Sequence, residues 1–333
     1  MIVLGVESSC DETSVSVSKD GKVILSNVVL SQMTLHAVFG GVVPEIASRE
    51  HIKGITAVFE TAIREAAVSV EDIDLVAVTK GPGLIGSLLT GINAAKAFAF
   101  AHQLPIIGVH HIAGHIYANQ IEGEMRFPLV CLVVSGGHTE LILMTEHFSF
   151  KKLGETLDDA VGEAYDKVAR VLGLGYPGGP KVDQLANRGE AIIPMPSISI
   201  GDQYDFSYSG LKSHVINTLN TMKMKGEAVP LEAMCASFQK AAIEQLIVKS
   251  RMAVDAMEAK MFVVAGGVAA NSYLRKRVKA AFTDVEVLVP PFKYCTDNAA
   301  MMSIAGYYQY QKFPKSDGYR LNGDPRAKLI ENN

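Results

Sequence analysis

The sequence predicts an α/β protein made of a duplicated unit, and three observations carry that reading. Residues 2–29 hold three short runs of strand type, Ile2–Val6, Thr13–Val17 and Lys22–Val29. Residues 127–153 repeat the plan, with runs at Leu129–Val134, Glu140–Met144 and near Phe148–Leu153. Each meander then gives way to helical periodicity interleaved with buried-type strands, and no Ser/Pro-rich linker divides the chain. The 333 residues suit about two domains at ~150 residues each. The expected division is one lobe of residues 1–108 with about 300–333, and a second lobe of 109–299 carrying helical insertions. Two such lobes leave a cleft between them, the usual place for a nucleotide.

In the first unit, Asp20-Gly21 makes the hairpin turn between the second and third strands. A Gly-rich loop, Phe39-Gly40-Gly41, leads to a helix over Ser48–Ala67, whose Ile52, Ile55, Val58, Phe59, Ala62 and Ile63 share one face. That face is either core or a docking surface for another protein. Asp74–Thr79 is a buried-type strand, Leu84–His102 an Ala/Leu-rich helix ended by Pro105, and Ile106–Val109 a further strand. In the second unit, helices are expected over Leu157–Leu172, Pro180–Arg188, Ser209–Leu219 and Leu231–Met257. Then come a strand at Met261–Ala265, a helix at Asn271–Phe282, a strand at Val285–Val289 and a helix at Asp297–Tyr310. Pro194–Tyr208 lacks periodicity and reads as an ordered loop.

Composition narrows the function classes. With 31 Lys+Arg against 35 Asp+Glu the net charge is −4, which argues against nucleic-acid binding through bulk positive charge. Local basic clusters remain available at Arg275-Lys276-Arg277-Val278-Lys279, Lys151-Lys152, and the tail residues Lys312, Lys315 and Arg320. Cys10, Cys131, Cys235 and Cys295 form no CxxC pair and no disulfide framework. The start has no basic n-region, and no run reaches the ~18 apolar residues of a membrane span. A cytoplasmic protein is expected, with no membrane partner.

Three Gly/Ser turns follow strands: residues 5–13 (GVESSCDET), 134–140 (VSGGHTE) and 265–271 (AGGVAAN). Glycine lets backbone N–H groups approach an anion, so these are candidate phosphate turns. Each alone could be an ordinary turn; two at matching places in a repeated unit make a stronger signal. Gly81-Pro82-Gly83-Leu84-Ile85-Gly86 literally fits GxGxxG, but Thr90–Gly108 contains no Asp or Glu to bind a ribose. Tight strand–helix packing is the better reading there.

His111 and His115 stand four apart and would share one helix face, a geometry that can bind one metal. Ile112 occupies the place where a zincin needs its Glu, so a metallopeptidase is disfavoured. A third ligand must come from far away, and Asp297 is a candidate, with Thr296 free to cap the following helix. Asp159, Glu163 and Asp166 fall on one face of the helix expected at 157–172, by default a solvated acidic stripe. Asp166, with Tyr176-Pro177-Gly178-Gly179-Pro180 and Asp183, is also a plausible clamp for ribose hydroxyls. Asp11 and Glu12 could act as acid or base or hold a cation, or could be ordinary turn residues.

Taken together, GVESSCDET at 5, GGVVPEIASR at 40, GPGLIGSLLTG at 81, HHIAGH at 110, VSGGHTEL at 134, GEAYDKVAR at 162, YPGGP at 176, DFSYSGLK at 205, GGVAANSYLR at 266 and CTDNAA at 295 resemble the tRNA threonylcarbamoyladenosine transferase (TsaD) family, bacterial type. The resemblance covers nearly the whole chain. It implies two actin-like lobes of the ASKHA, RNase H-like class, with a nucleotide cleft between them. It further implies one divalent metal, Fe2+ or Zn2+, on His111, His115 and Asp297. Val134, Ser135, Gly136, Gly137 and His138 would contact the donor, threonylcarbamoyl-AMP, whose site ATP or AMP could also occupy. Asp166, Gly179 and Asp183 would lie on the ribose, Gly267 and Asn271 near the adenine, and Asp11 and Glu12 at the reaction centre. The implied reaction moves the threonylcarbamoyl group to N6 of the adenosine 3′ of the anticodon in tRNAs that read ANN codons. Implied partners are tRNA, an inactive TsaB-like paralogue and a TsaE-like P-loop ATPase. The alternatives are an ATP-dependent phosphotransferase of the same superfamily and a nucleotide-binding scaffold subunit. Paired histidines favour the transferase, because such kinases hold Mg2+ through carboxylates and water.

Overall fold

The N-terminal apolar runs form a five-stranded sheet. It comprises β1 (Ile2–Glu7), β2 (Glu12–Lys19), β3 (Val23–Ser31), β4 (Leu75–Gly81) and β5 (Ile106–His110), in the order β3-β2-β1-β4-β5. β1 is antiparallel to β2, with Glu7 opposite Ser14, and parallel to β4, with Val3 opposite Leu75. Asp20 and Gly21 both take positive φ (53° and 64°), as a tight hairpin turn of matching twist requires. The computed structural model describes residues 1–196 and 203–329. Its two compact units are Met1–Met125 with Glu146–Phe150 and Pro290–Asn333, and Arg126–Thr145 with Lys151–Val289.

The second unit repeats the sheet. β6 (Leu129–Val134), β7 (Thr139–Met144), β8 (Lys151–Glu155), β9 (Met261–Ala265) and β10 (Glu286–Leu288) run in the order β10-β9-β6-β7-β8. As in the first sheet, the meander pairs antiparallel and the last two strands join parallel. The duplication inferred from two similar stretches of sequence is therefore a duplication of strand order.

The helices of the first unit are α1 (Met33–Ala37), α2 (Pro44–Ala66), α3 (Ile85–Ala101) and α4 (His111–Tyr117). Those of the second are α5 (Val161–Val171), α6 (Gly178–Ala186), α7 (Ser209–Lys225), α8 (Leu231–Ala256) and α9 (Ser272–Ala281); α10 (Ala299–Lys312) returns to the first unit. α2 starts earlier than its periodicity suggests, because Pro44 is pre-set for the first helical turn. Its Ile55, Val58, Phe59 and Ala62 join Leu4, Val6, Val15 and, from α3, Leu88 and Ile92 in one core. The apolar face of α2 is core, and Ile52 departs from it at 64% exposure.

Other expectations shift. α5 begins at Val161 rather than Leu157, because the residues before it have tertiary duties. Thr156 donates its hydroxyl to the Asp159 carbonyl, and Asp158 accepts the hydroxyls of Ser207 and Ser209 and the amide of Tyr208. Asp159 therefore precedes the helix and pairs with Lys167 and Lys212, instead of continuing an acidic stripe. Of the loop expected at Pro194–Tyr208, residues 197–202 lie outside the described residues, while Phe206 bridges to Thr156. The GxGxxG look-alike is a packing device: a Cβ on Gly83 would overlap Ser9, and one on Gly86 would overlap Ser48.

α10 lies against β1, β2, β4 and β5 of the first sheet. Met301, Met302 and Ile304 are fully buried, each contributing about 1.5–3 kcal/mol through burial. The approach is close enough that a Cβ on Gly5 of β1 would overlap the Ala299 carbonyl and Ser303. Gly5→Val should therefore push α10 outward and cost about 2–3 kcal/mol, read as a lower urea midpoint. An unchanged midpoint would show that glycine is not needed at this contact.

Candidate functional site

α4 starts directly after β5. His110 caps it, its Nδ1 accepting the Ile112 N–H at 3.2 Å while its Nε2 meets the Ala327 carbonyl at 3.1 Å. That sends His110 away from its neighbours and leaves His111 and His115 on the first turns, ring centroids 4.7 Å apart. Asp297 arrives from the other end of the chain. Asn298, not Thr296, caps α10, its side chain accepting the Met301 N–H. Asp297 Oδ1 lies 3.1 Å from His115 Nε2 and 3.6 Å from His111 Nε2. α10 packs on α4, with the Met302 methyl group where a Cβ on Gly114 would stand.

One ligand atom from each of His111, His115 and Asp297 lies within 4.8 Å of the others. Two imidazole nitrogens and a carboxylate are a suitable donor set for a divalent metal. Behind His111 stands Glu7, fully buried at the end of β1, with Oε2 3.3 Å from His111 Nδ1. Ser9 Oγ reaches the same nitrogen at 3.1 Å. Anchoring Nδ1 in this way turns Nε2 toward Asp297, the arrangement by which an outer carboxylate orients a metal-binding imidazole. Glu7 is held in turn by the Ser9 amide and the Thr79 hydroxyl, both at 2.5 Å.

The charges of this cluster are tightly balanced. Burial alone would raise the Glu7 carboxyl, but the imidazole of His111 holds it below its ordinary value. Burial would lower His111, yet Asp297 and Glu7 push it up to about 9. The two carboxylates thus demand positive charge between them, which a proton or a divalent cation supplies, so the site fits a metal. Asp11 is buried and Glu12 half-buried in the adjoining turn, and Ser31 Oγ donates to Glu12 Oε1 at 3.1 Å. Burial first, then the charges of Asp297 and Asp11, push the Glu12 carboxyl up to about 9.

The remaining expected site residues lie in the second unit. Val134 is fully buried, so only its backbone can face a ligand. In the turn beyond it, the Gly137 and His138 amides point at Ser135 Oγ, at 3.3 and 3.1 Å. Ser135 thereby closes the turn on itself with the two N–H groups expected to face an anion. A Cβ on Gly136, Gly137, Gly179 or Gly267 would meet nothing within 4 Å, so these backbones border open space. Asp166 accepts the Gly178 N–H at 2.7 Å, at the start of α6. Asp183 accepts from Gln239 and from Ser272, and Gln239 accepts from Asn271, forming one polar network. Sequence reasoning linked Asp183 and Asn271 to one ligand but missed Gln239 and Ser272, which hold them. It also missed Glu7, whose only signal was a carboxylate closing an apolar strand.

A family model described as TsaD, tRNA N6-adenosine threonylcarbamoyltransferase, matches residues 23–304. The tRNA N6-adenosine threonylcarbamoyltransferase of Geobacillus kaustophilus (strain HTA426) is 54% identical over 98% of this chain and 97% of its own. That of Bacillus cereus (strain ATCC 10987 / NRS 248) is 55% identical over 97% and 95%. Among solved structures, the (R)-2-hydroxyglutaryl-CoA dehydratase component A of Acidaminococcus fermentans superposes with a TM-score of 0.52 at 14% identity, covering 95% of this chain and 100% of its own. Full-length HypF superposes with a TM-score of 0.59 at 13% identity, over 95% of this chain and 47% of its own. At such identities these structures speak to the fold alone, which is α/β of the actin-like kind.

Two outcomes follow for metal binding. Glu7→Gln should weaken affinity about 10- to 100-fold in chelator competition, because His111 loses its orienting carboxylate. Affinity should also fall about tenfold per unit as pH drops below 9, because His111 must shed a proton to bind. A pH-independent affinity would remove His111 from the ligand set.

Proposed function

The chain belongs to the TsaD family of tRNA N6-adenosine threonylcarbamoyltransferases, and from that premise we propose how its residues perform the transfer. The enzyme acts on tRNA; the finer reading is that its donor is threonylcarbamoyl-AMP and its acceptor the adenosine 3′ of the anticodon in tRNAs reading ANN codons. The observation that carries this reading is the convergence of His111, His115 and Asp297 beside Asp11 and Glu12. His111, His115 and Asp297 would hold the metal, iron or zinc, with Glu7 and Ser9 orienting His111. When bound, such an ion supplies Lewis-acid polarisation of the donor carbonyl.

In the transfer, the adenosine N6 forms a bond to the carbamoyl carbon, the bond from that carbon to the phosphate oxygen breaks, and AMP leaves with the electron pair. The N6 proton must go to a base, and Glu12 is the reading preferred here. A carboxyl held near 9 is protonated at neutral pH and cannot accept it. Part of that elevation comes from the charge of Asp297, which a cation offsets, so the basicity of Glu12 is tied to loading of the histidine pair. Backbone at Gly136, Gly137, Gly179 and Gly267 borders space for the AMP portion, and the network around Asp183 and Asn271 suits ribose and adenine groups. The net charge of −4 is consistent with help in holding tRNA from a TsaB-like paralogue and a TsaE-like ATPase. No helix among the described residues is long and apolar enough to cross a membrane, in keeping with a cytoplasmic site of action.

The test is transfer of labelled threonylcarbamoyl from threonylcarbamoyl-AMP to tRNA, with and without those partner proteins. Glu12→Gln should lower kcat about 100-fold or more while leaving donor affinity within about twofold. Full turnover by this variant would exclude Glu12 as the base. His111→Ala should lose both stoichiometric metal and transfer.

A further inference from the structure

The Asp11–Glu12 turn is held from three sides. Its carbonyls at residues 9, 10 and 11 each accept one hydrogen bond, two from amides just ahead of a helix and one from a helix side chain. The Ser9 carbonyl accepts from the Leu84 amide at 2.8 Å, at the start of α3. The Asp11 carbonyl accepts from the Gln32 amide at 3.0 Å, at the start of α1. The Cys10 carbonyl accepts from a side chain, His51 Nε2 of α2, at 2.9 Å. The other nitrogen of that ring, Nδ1, lies 2.7 Å from the hydroxyl of Thr13. One imidazole thus spans the turn, touching the residue before Asp11 and the residue after Glu12.

The chemistry of the partners dictates the tautomer. A carbonyl cannot donate, so Nε2 carries the proton, and Nδ1 accepts the Thr13 hydroxyl. His51 and Thr13 are both fully buried, and burial holds the ring below its ordinary pKa, in keeping with a neutral, singly protonated imidazole. His51 takes no part in the metal cluster. A buried histidine with both nitrogens committed to one short turn fixes that turn's path and hence the directions of the two carboxyl groups.

We propose that His51 is a positioning residue for the transfer reaction, clamping the Cys10 carbonyl and the Thr13 hydroxyl so that Asp11 and Glu12 are presented in reactive geometry. This rests on the reading that Glu12 acts at the reaction centre. His51 is the one side-chain donor among the three clamps, so substitution can remove it cleanly. The experiment measures kcat, KM for donor and tRNA, metal content and melting temperature for the full chain with its partner proteins, comparing His51→Ala, His51→Gln, Thr13→Val and Glu12→Gln. His51→Ala should lose about ten- to a hundredfold in kcat with both KM values within about twofold and full metal content. His51→Gln, whose amide can still donate to the Cys10 carbonyl, should recover most of that loss. If His51→Ala does not fold, Thr13→Val and His51→Gln decide. Thr13→Val leaves the ring unanchored and should lower kcat alone, His51→Gln should stay near wild type, and any other pattern overturns the proposal. Unimpaired His51→Ala beside impaired Glu12→Gln overturns the proposal alone. So does a His51→Ala loss that glutamine does not recover, or one accompanied by loss of metal. A fully active Glu12→Gln overturns the reading of Glu12 and this proposal with it.

Discussion

The seat of α10 is the contact on which the metal cluster depends. Asp297 stands near His115 directly ahead of the helix that packs on β1 and α4. Gly5, beneath the first turn, permits that approach, because a Cβ there would meet α10 backbone, while Gly114 leaves room for the Met302 methyl group. Ala and Met on α10 complete the fit, the small residues admitting backbone and the flexible thioethers filling the remaining space.

Electrostatics then follows from position. Glu7, Asp297, Asp11 and Glu12 gather around one turn and one helix start, where burial makes each uncompensated charge costly. The solution differs from residue to residue. Glu7 keeps its charge because His111 faces it, while Glu12 has no cationic neighbour among the causes of its shift and is driven toward its neutral form. A divalent cation in place of the His111 proton would add one further positive charge beside Asp297. In the proposed mechanism, metal binding and acid–base chemistry are in this sense one electrostatic problem.

Much of this was legible in the chain. The strands were, because alternation and β-branched runs report burial directly, and so was the duplicated plan, because two meanders with matching polar turns are visible without alignment. The helical spacing of His111 and His115 and the candidacy of Asp297 needed only local arguments. What escaped depends on partners distant in sequence. Glu7 looks like any acid at a strand end until His111 lies beside it. Helix α5 was expected from Leu157, whereas Thr156 bonds to Asp159 and Asp158 to residues 207–209. The serine of the Val134–His138 turn looked like a ligand contact, and nothing local announced that its hydroxyl also accepts the Gly137 and His138 amides. Propensity reports what a residue tolerates; these departures record what its neighbours require.

The order in which the chain emerges during synthesis gives the placement of Asp297 a further meaning. It lies 182 residues beyond His115, so the histidine pair is complete long before its carboxylate exists. A nascent chain carries β1 to β5 and α4 early, yet it lacks the helix that covers that sheet until residue 312 has been made. On the proposed reading, the three-residue metal site is complete only once Asp297 and the helix that follows it have been made. A chain cut short before Asp297 would carry both histidines of the proposed site without its carboxylate.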